Sequence, residues 1–236
     1  MSRILITGST DGLGQLAARQ LIEDGHEVVL HARNAQRAGE AMKNLPGAKA
    51  VLIADLADMD QTKDLAQQAN QYVFNAVIHN AGVYQASAQQ LLQVNTLAPY
   101  ILTALMNRPE RLIYLSSGMH LSGHAKWTEH PSYSDTKLQV LMLARILAKE
   151  WPEIYANAVD PGWVPTRMGG RGAPDNLQKG YETQVWLATS DEPEALVSGQ
   201  YFHHQRAAPY NHSADDRAAQ QGLLAACAQL TDITLF

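Results

Sequence analysis

Short apolar runs alternate with amphipathic stretches along the whole chain. The amphipathic stretches repeat their apolar residues at helical spacing and predict helices over Leu13–Asp24, Ala35–Leu45, Asp60–Asn70 and Ala88–Met106. Several apolar runs are uninterrupted, as in strands that are covered on both faces. The predicted strands are Ile4–Thr7, Glu27–His31, Ala50–Ala54, Ala76–His79, Arg111–Ser116, Ile154–Val159 and Gln200–Phe202. This alternation predicts an α/β fold, a doubly wound parallel sheet of about seven strands with helices on both faces.

Composition and charge indicate one ordinary domain. The chain has 236 residues, 46% of them hydrophobic and 17% charged, and no linker, repeat or low-complexity segment divides it. Its formal net charge is −5 without a basic run, so we expect no nucleic-acid partner. Because the apolar stretches are short and Met1 lies close to the first strand, we expect neither a membrane span nor a signal peptide. A single cysteine, Cys227, suits a cytoplasmic protein and is expected to pack within a C-terminal helix that Ser213 would cap.

A glycine-rich turn joins the first predicted strand to the first predicted helix. Its glycines allow a tight turn and close backbone approach, and the following helix would direct its N-terminus at a pyrophosphate. The position after a strand makes the motif more specific than a lone glycine triplet, for which a structural turn is the alternative. The sequence therefore predicts a single Rossmann-type dinucleotide-binding domain over residues 1–236. Its phosphate-binding residues would be Gly8, Ser9, Thr10, Asp11, Gly12, Leu13 and Gly14.

The end of the second predicted strand favours NADP(H) over NAD(H). An acidic residue about 20 positions beyond the fingerprint selects the ribose 2′-hydroxyl of NAD, but this chain has His31-Ala32-Arg33-Asn34 there. Arg33 would pair with the 2′-phosphate of NADP, with Asn34 in the same site; the alternative is an ordinary surface arginine. The ends of the third and fourth predicted strands add predicted cofactor contacts. At the third, the alternative is a loop or helix-cap residue; at the fourth, it is a plain strand-to-helix turn. These contacts are Asp55, Leu56, Asn80, Ala81 and Gly82.

Tyr133 and Lys137 lie four residues apart in a predicted helix, which places both side chains on one face. A free tyrosine has a pKa of about 10, and a fixed cation beside it favours the phenolate. The pair would then exchange protons with an alcohol or a carbonyl as an acid/base catalyst. Alone the spacing is weak evidence, since such pairs also occur by chance on solvated helix faces.

In their order along the chain, these motifs resemble those of the short-chain dehydrogenase/reductase family. The resemblance runs from Ile4 to at least Phe202. It is carried by the Thr7-to-Gly14 turn, Asp55-Leu56, His79-Asn80-Ala81-Gly82, Val94-Asn95, Ser116-Ser117, Tyr133-x-x-x-Lys137 and Asp160-Pro161-Gly162. His79 departs from the family pattern, which often has asparagine at that position. The segments 116–120 and 198–202 further resemble the branch that contains retinol dehydrogenases and WW-domain oxidoreductases.

The resemblance implies four catalytic residues. Ser117 would hydrogen-bond the substrate oxygen, and Tyr133 would donate a proton to a carbonyl or remove one from an alcohol. Lys137 would lower the pKa of Tyr133 and hold the nicotinamide ribose, and Asn95 would anchor a water that links Lys137 to solvent. From the residues alone, Ser117 is a strand-end serine and Asn95 a helix cap. The loop after strand six would add cofactor contacts at Pro161, Gly162, Val164 and Thr166.

The substrate pocket is expected between the insert 118–132 and the segment 163–180. No basic cluster faces these segments, so we expect a small carbonyl or alcohol on an apolar or aromatic body. The histidines of the insert fit no common zinc spacing, and no metal is expected. Trp127 and Trp163 alternatively pack under loops. The predicted pocket residues are Met119, His120, Trp127, Trp163 and Met168.

The sequence thus predicts a cytoplasmic NADP(H)-dependent oxidoreductase that interconverts a carbonyl and an alcohol by hydride transfer. The alternative is a catalytically silent NADP(H)-binding sensor, which would usually lose the Tyr-Lys pair. A sugar-nucleotide epimerase or dehydratase would need a larger C-terminal domain. Asn80 and Asn95 are 15 positions apart, fewer than is usual in the family. We therefore expect a shortened fourth helix, and the chain is either a monomer or a homodimer.

Overall fold

Strands and helices alternate from end to end in the computed structural model, which describes residues 1–236. The strands are β1 (Arg3–Ile6), β2 (Glu27–Ala32), β3 (Ala50–Ile53), β4 (Ala76–His79), β5 (Arg111–Leu115), β6 (Tyr155–Asp160), β7 (Tyr201–His203) and β8 (Arg206–Ala207). The helices are α1 (Gly12–Glu23), α2 (Ala35–Asn44), α3 (Met59–Ala69), α4 (Ala88–Leu91), α5 (Ala98–Leu105), α6 (Tyr133–Glu150), α7 (Leu177–Thr189) and α8 (Arg217–Thr231).

All eight strands form one sheet in the order β3-β2-β1-β4-β5-β6-β7-β8. Strands β1 to β7 are parallel, and only β8 pairs antiparallel, with β7. This confirms the predicted doubly wound sheet. The prediction missed β8 because a two-residue strand at an edge carries no hydrophobic pattern. The strand order reverses between β1 and β4, and the carboxyl ends of strands at such a switch point form a ligand-binding crevice.

The core consists of two apolar layers, one on each face of the sheet. One layer holds 36 buried residues and the other holds 20. Neighbouring residues of one strand enter opposite layers: Leu5 belongs to the larger layer and Ile4 to the smaller. The same holds for Val77 and Ile78 in β4. Burial on both faces explains why these strands are uninterrupted apolar runs in the sequence.

The helical stretch predicted over Ala88–Met106 is one run of three pieces. Helix α4 spans a single turn that begins with a capping box between Ser87 and Gln90. A π-helical turn over Leu92–Leu97 follows, and α5 continues directly from it. Such π turns are frequent at functional sites because they alter the direction of side chains within a helix. The π turn contains Asn95, one of the predicted catalytic residues.

The C-terminal segment differs from its prediction at its start. Ser213 lies in a 3₁₀ turn over His212–Asp215, and α8 is capped instead by Asp216, whose side chain accepts from the Ala219 N–H. Cys227 is fully buried on α8, as predicted. None of the helices is both long enough and apolar enough to cross a membrane.

Candidate active site

The glycine-rich turn between β1 and α1 is shaped by steric requirements. Gly8 and Gly12 have positive φ angles of 64° and 55°, a conformation that favours glycine. A Cβ atom on Gly8 would lie 2.9 Å from the Cα of Ala81, and one on Gly14 would lie 2.6 Å from the Gly8 carbonyl oxygen. Side chains at either position would therefore force the backbone to move.

The start of α1 offers free backbone donors. The N–H groups of Gly12, Leu13 and Gly14 donate to no protein acceptor, and the side chain of Asp11 makes no capping bond. Free donors and partial positive charge at a helix N-terminus attract an anion, and the glycines allow it to approach closely. The turn therefore fits the pyrophosphate of a dinucleotide.

His31 holds this turn in place from β2, a role that the sequence did not predict. Its Nδ1 accepts from the Gly8 N–H at 2.9 Å, and its Nε2 lies 3.0 Å from the carbonyl oxygen of Ala54. An amide N–H can only donate, so the ring proton is on Nε2 and the ring is neutral. Burial lowers the pKa of His31 to about 4, which maintains that state at neutral pH. No sequence signal separates such a bridging histidine from an ordinary core histidine.

Of the two arginines beyond β2, only Arg37 contacts the turn. Arg33 is exposed and has no hydrogen-bond or ion-pair partner within the chain. Arg37 donates to the hydroxyl of Thr10 at 2.9 Å and pairs with the carboxylate of Asp11 at 2.5 Å. Asn34 caps α2, accepting from the Arg37 N–H. Sequence reasoning missed Arg37 because it reaches back to the turn from within a helix, beyond the strand end on which the prediction relied.

The end of β4 is fastened to the glycine-rich turn. The Asn80 amide donates to the carbonyl oxygens of Thr7 and Gly8, at 2.9 and 3.1 Å. The Ala81 N–H donates to the Thr7 hydroxyl at 3.0 Å. These contacts place the predicted residues Asn80, Ala81 and Gly82 beside the turn at the switch point of the sheet.

The loop after β3 is held by hydrogen bonds between its own residues. The carboxylate of Asp55 accepts from the Ala57 N–H at 3.0 Å, and α3 is capped by Asp58. The sequence left two alternatives to cofactor contact for Asp55, a loop residue and a helix cap. In the structure Asp55 is a loop residue and does not cap α3. Leu56 packs in the apolar core, so its side chain supports the loop from beneath.

Local sequence positions Tyr133 at the first residue of α6. Ser132 and Asp135 form a reciprocal capping box, with the Asp135 N–H donating to the Ser132 hydroxyl and the Ser132 N–H donating to the Asp135 carboxylate. Lys137 follows one turn later, and its Nζ lies 5.4 Å from the centre of the Tyr133 ring. The predicted pair therefore shares one helix face.

Lys137 and Asn95 meet beneath Gly82. The Lys137 Nζ donates to the Leu115 carbonyl oxygen at 2.8 Å. The Asn95 amide is held by the backbone of Val83, through bonds of 2.8 and 2.9 Å. A Cβ atom on Gly82 would lie 3.3 Å from the Lys137 Nζ and 3.4 Å from the Asn95 Oδ1, so the glycine allows this close arrangement. With Ser117 two residues beyond Leu115, the four predicted catalytic residues come from three separate elements.

Burial dominates the protonation of the Tyr-Lys pair. Loss of solvent raises the pKa of Tyr133 to about 12, while the nearby Ser117 hydroxyl opposes this rise. Burial also lowers the pKa of Lys137 to about 8. Desolvation of the phenol is thus the largest influence on its pKa, and the lowering by Lys137 stays a prediction. A pKa of about 12 keeps the Tyr133 phenol protonated at neutral pH.

Tyr84 is an aromatic neighbour of Tyr133 that the sequence did not reveal. Its ring stands edge-on to that of Tyr133, with 4.8 Å between the ring centres, and it is 39% exposed. Tyr84 lies in the short connection after β4, which carries no motif. It forms one wall beside the Tyr133 phenol.

The sequence profile of the short chain dehydrogenase family matches residues 2–176. The chain belongs to the short-chain dehydrogenase family. This confirms the resemblance inferred from the order of the motifs. The chain is thus an oxidoreductase of the short-chain dehydrogenase type, and the family and fold indicate a nicotinamide dinucleotide as its cofactor.

Relatives of this short-chain dehydrogenase extend over its whole length. The short-chain dehydrogenase chry4 of Gibberella zeae is 42% identical, covering 100% of this chain and 99% of that protein. Human retinol dehydrogenase 14 is 28% identical, covering 84% of this chain and 77% of its own length. The second relative accords with the branch that the sequence suggested.

Solved structures share the fold of this short-chain dehydrogenase. A protein from Mycobacterium paratuberculosis superposes with a TM-score of 0.81 at 22% identity, covering 100% of this chain and 95% of the other. A blue fluorescent protein from a metagenomic library, in complex with NADPH, superposes with a TM-score of 0.73 at 20% identity, covering 86% and 95%. At these identities the likeness establishes the fold alone.

The loop after β6 borders the cofactor side of the short-chain dehydrogenase. Gly162 has a φ angle of 78°, and the following Trp163 N–H donates to the Asp175 carboxylate at 2.6 Å. The Thr166 side chain would lie 3.9 Å from a Cβ atom on Gly12, so this threonine faces the glycine-rich turn. Val164 is buried beneath the loop.

The five predicted pocket residues lie in three different settings. Met119, Trp163 and Met168 are exposed, at 44%, 59% and 49% of their surface, and are available to a substrate. His120 has no exposed surface, so its assignment to the pocket wall is wrong: its ring forms internal hydrogen bonds instead. Trp127 lines a groove of about 660 Å³ against α8, which none of the four catalytic candidates lines.

Proposed function

We propose that this short-chain dehydrogenase interconverts a carbonyl and an alcohol on an apolar or aromatic small molecule, with NADP(H) as the hydride carrier. The observation that carries the proposal is the position of Tyr133 and Lys137 on one face of α6, with Lys137 Nζ 5.4 Å from the tyrosine ring. Ser117 and Asn95 complete the set around them. This arrangement supplies a proton donor beside a cofactor-binding turn.

The bound nicotinamide would supply or accept a hydride at the substrate carbon. During reduction, negative charge develops on the carbonyl oxygen, which the Ser117 hydroxyl would hold and the Tyr133 phenol would protonate. Lys137 is fixed by its bond to Leu115, and its positive charge would stabilise the phenolate left behind. The Asn95 amide, fixed by Val83, would keep the adjacent backbone in place.

Protonation of the phenol supports the reductive direction. With a pKa of about 12, Tyr133 holds its proton at neutral pH and is ready to donate it. Alcohol oxidation would first require loss of that proton. The reductive step therefore needs no prior ionisation of Tyr133 at neutral pH.

The residues beyond β2 support NADP(H) over NAD(H). The end of β2 carries no carboxylate that would select a ribose 2′-hydroxyl. Arg33 is exposed and unpaired there, and Arg37 lies against the turn.

The proposal is tested by measuring NADPH oxidation across a panel of aliphatic and aromatic aldehydes and ketones, with NADPH binding followed separately by fluorescence. We expect binding and turnover of at least one carbonyl, and slower turnover with NADH. Binding of NADPH without reduction of any carbonyl or oxidation of any alcohol would contradict the proposal and favour a silent sensor.

A further inference from the structure

A buried histidine connects the serine end of β5 to the C-terminal segment. His120 lies in the 3₁₀ turn Gly118–Ser122 that follows Ser117, and its ring packs 4.4 Å from the ring of Tyr201. Its Nδ1 lies 2.7 Å from the Ser117 carbonyl oxygen, and its Nε2 lies 3.1 Å from the backbone nitrogen of Asn211. The mechanism above gives this histidine no role.

The two hydrogen bonds fix the tautomer of the ring. The Asn211 N–H can only donate, so Nε2 accepts; the Ser117 carbonyl can only accept, so Nδ1 carries the proton. The ring is therefore neutral, and its two bonds fix the position of Ser117 relative to Asn211. Burial lowers the pKa of His120, which maintains this form at neutral pH.

Asn211 closes the same turn with its side chain. Its amide nitrogen lies 3.3 Å from the Leu121 carbonyl oxygen and 3.1 Å from that of Gly123. Its Oδ1 accepts from the N–H and the hydroxyl of Ser213, at 3.0 and 2.7 Å. The residue thus ties the turn after Ser117 to a segment about 90 positions further along the chain.

The opposite side of the turn rests on α6. A Cβ atom on Gly123 would lie 2.5 Å from the Ser134 carbonyl oxygen, so the turn packs directly against the first turn of the helix that carries Tyr133. The sheet no longer holds this region: the last strand bond is donated by the Ser116 N–H to Val159. Beyond it, the Ser117 carbonyl accepts only from His120, through its N–H and its ring.

We propose that His120 and Asn211 are positioning residues for Ser117. They hold its backbone and the turn whose Met119 N–H donates to the Ser117 hydroxyl at 3.2 Å, and so direct that hydroxyl toward the substrate oxygen beside Tyr133. This inference rests on the proposed function, because Ser117 binds the substrate oxygen only within it. A misplacement of about 1 Å in such a group lowers turnover roughly a hundredfold. The C-terminal segment is therefore part of the catalytic arrangement without contacting the substrate.

Three replacements of His120 separate the two bonds. His120→Phe keeps the ring packing against Tyr201 and loses both bonds, so kcat should fall at least about tenfold while the Kd for NADPH is unchanged. In His120→Asn, the amide replaces the Nδ1 donor to Ser117; in His120→Gln, an oxygen replaces the Nε2 acceptor. We expect His120→Asn to retain more activity than His120→Gln. Asn211→Ala keeps the backbone N–H to Nε2 but loses the side-chain bonds to Leu121 and Gly123, so it should lower kcat less than His120→Phe does.

A readout beyond stability is the pH profile. Because the Ser117 hydroxyl opposes the rise in the Tyr133 pKa, its displacement should move the alkaline limb of alcohol oxidation to higher pH in His120→Phe and Asn211→Ala. Asp58→Ala, which removes the cap of α3, is the matched control and should leave both kcat and the limb unchanged. A folded His120→Phe protein with wild-type kcat and pH profile would overturn the inference, as would equal activity in all three His120 variants.

The ring itself provides a test that needs no turnover. Nitrogen NMR of the wild-type His120 ring should show a proton on Nδ1 and none on Nε2, and Asn211→Ala should weaken the protection of the turn amides. A proton on Nε2 would show that this nitrogen does not accept from the Asn211 N–H, and it would refute the inference even in an active enzyme. The expected NMR result together with absence of carbonyl turnover would instead contradict only the proposed function.

Discussion

The cofactor side and the substrate side of the cleft are built in different ways. On the cofactor side, Gly8 and Gly14 allow close backbone approach, the Asn80 amide bonds the Gly8 carbonyl oxygen, and the buried His31 joins the turn to the sheet. On the substrate side, exposed side chains such as Trp163 and Met168 stand on a loop after β6. The cofactor side is thus continuous with the buried core, whereas the substrate side consists of exposed side chains on a loop.

This difference teaches where function and stability overlap. Changes on the cofactor side should disturb folding and binding together, because the same contacts serve both. Changes on the exposed substrate side should alter substrate choice with little effect on stability, since exposed side chains contribute little to folding. Four predictions test that contrast, beginning with the largest expected effect.

Acid should destabilise the fold through two buried histidines, His31 beside the glycine-rich turn and His79 in β4, which stacks on Tyr114. Burial lowers the pKa of His31 to about 4 and that of His79 to about 3, against about 6.5 in the unfolded chain. Because the unfolded chain binds more protons in this window, stability is complete above pH 6.5 and falls toward pH 4. The loss is about 1.4 kcal/mol per pH unit for each histidine.

Urea unfolding at several pH values measures this slope, and His79→Asn should make it shallower. A free energy of unfolding that stays constant between pH 6.5 and 4.5 would show that these rings are not buried in neutral form.

Gly14→Ala should lower NADPH affinity about a hundredfold, or prevent folding, because a Cβ atom there would lie 2.6 Å from the Gly8 carbonyl oxygen. Gly39→Ala is the matched control: no atom lies within 4 Å of its Cβ position in α2. That change should leave affinity intact and stabilise the chain by about 0.5–1 kcal/mol. Titration calorimetry measures both affinities. Equal NADPH affinity in the two variants would show that the phosphate site does not require a glycine at position 14.

Arg33→Gln should weaken NADPH binding about tenfold and NADH binding hardly at all, because a charge-assisted bond to the 2′-phosphate is lost. Arg37→Gln tests the neighbouring arginine, which already pairs with Asp11, and should have the smaller effect on the ratio of the two affinities. Fluorescence titrations with both cofactors measure that ratio. A wild-type chain that binds NADH and NADPH equally would contradict the assignment.

Trp163→Ala should have the smallest effect on stability, within about 0.5 kcal/mol, because the side chain is 59% exposed. Its loss should change KM for the substrate severalfold and leave NADPH affinity unchanged. Thermal unfolding combined with steady-state kinetics measures both quantities. A large fall in melting temperature without a change in KM would show that Trp163 serves stability and not substrate binding. That result would contradict the difference between the two sides.

Backbone requirements explain why the geometry of the glycine-rich turn could be predicted from the sequence. Glycines at Gly8 and Gly14 are dictated by conformation and close approach, so their spacing is visible in the chain. The same holds for the strands, whose burial on both faces leaves uninterrupted apolar runs. His31 and Arg37 act through contacts between distant segments, and such contacts leave no local pattern. The assignment of His120 to the pocket failed for that reason: its partner Asn211 lies 91 positions away.

The most direct test of the central claim compares Tyr133→Phe with Tyr84→Phe in single-turnover hydride transfer from bound NADPH to a carbonyl substrate. The two tyrosines are neighbours, and each change removes one hydroxyl while keeping the ring contact. If Tyr133 is the proton donor, Tyr133→Phe should bind NADPH normally and lose about 10²–10⁴-fold in rate, while Tyr84→Phe stays close to wild type. Hydride transfer at the wild-type rate in Tyr133→Phe would contradict the claim.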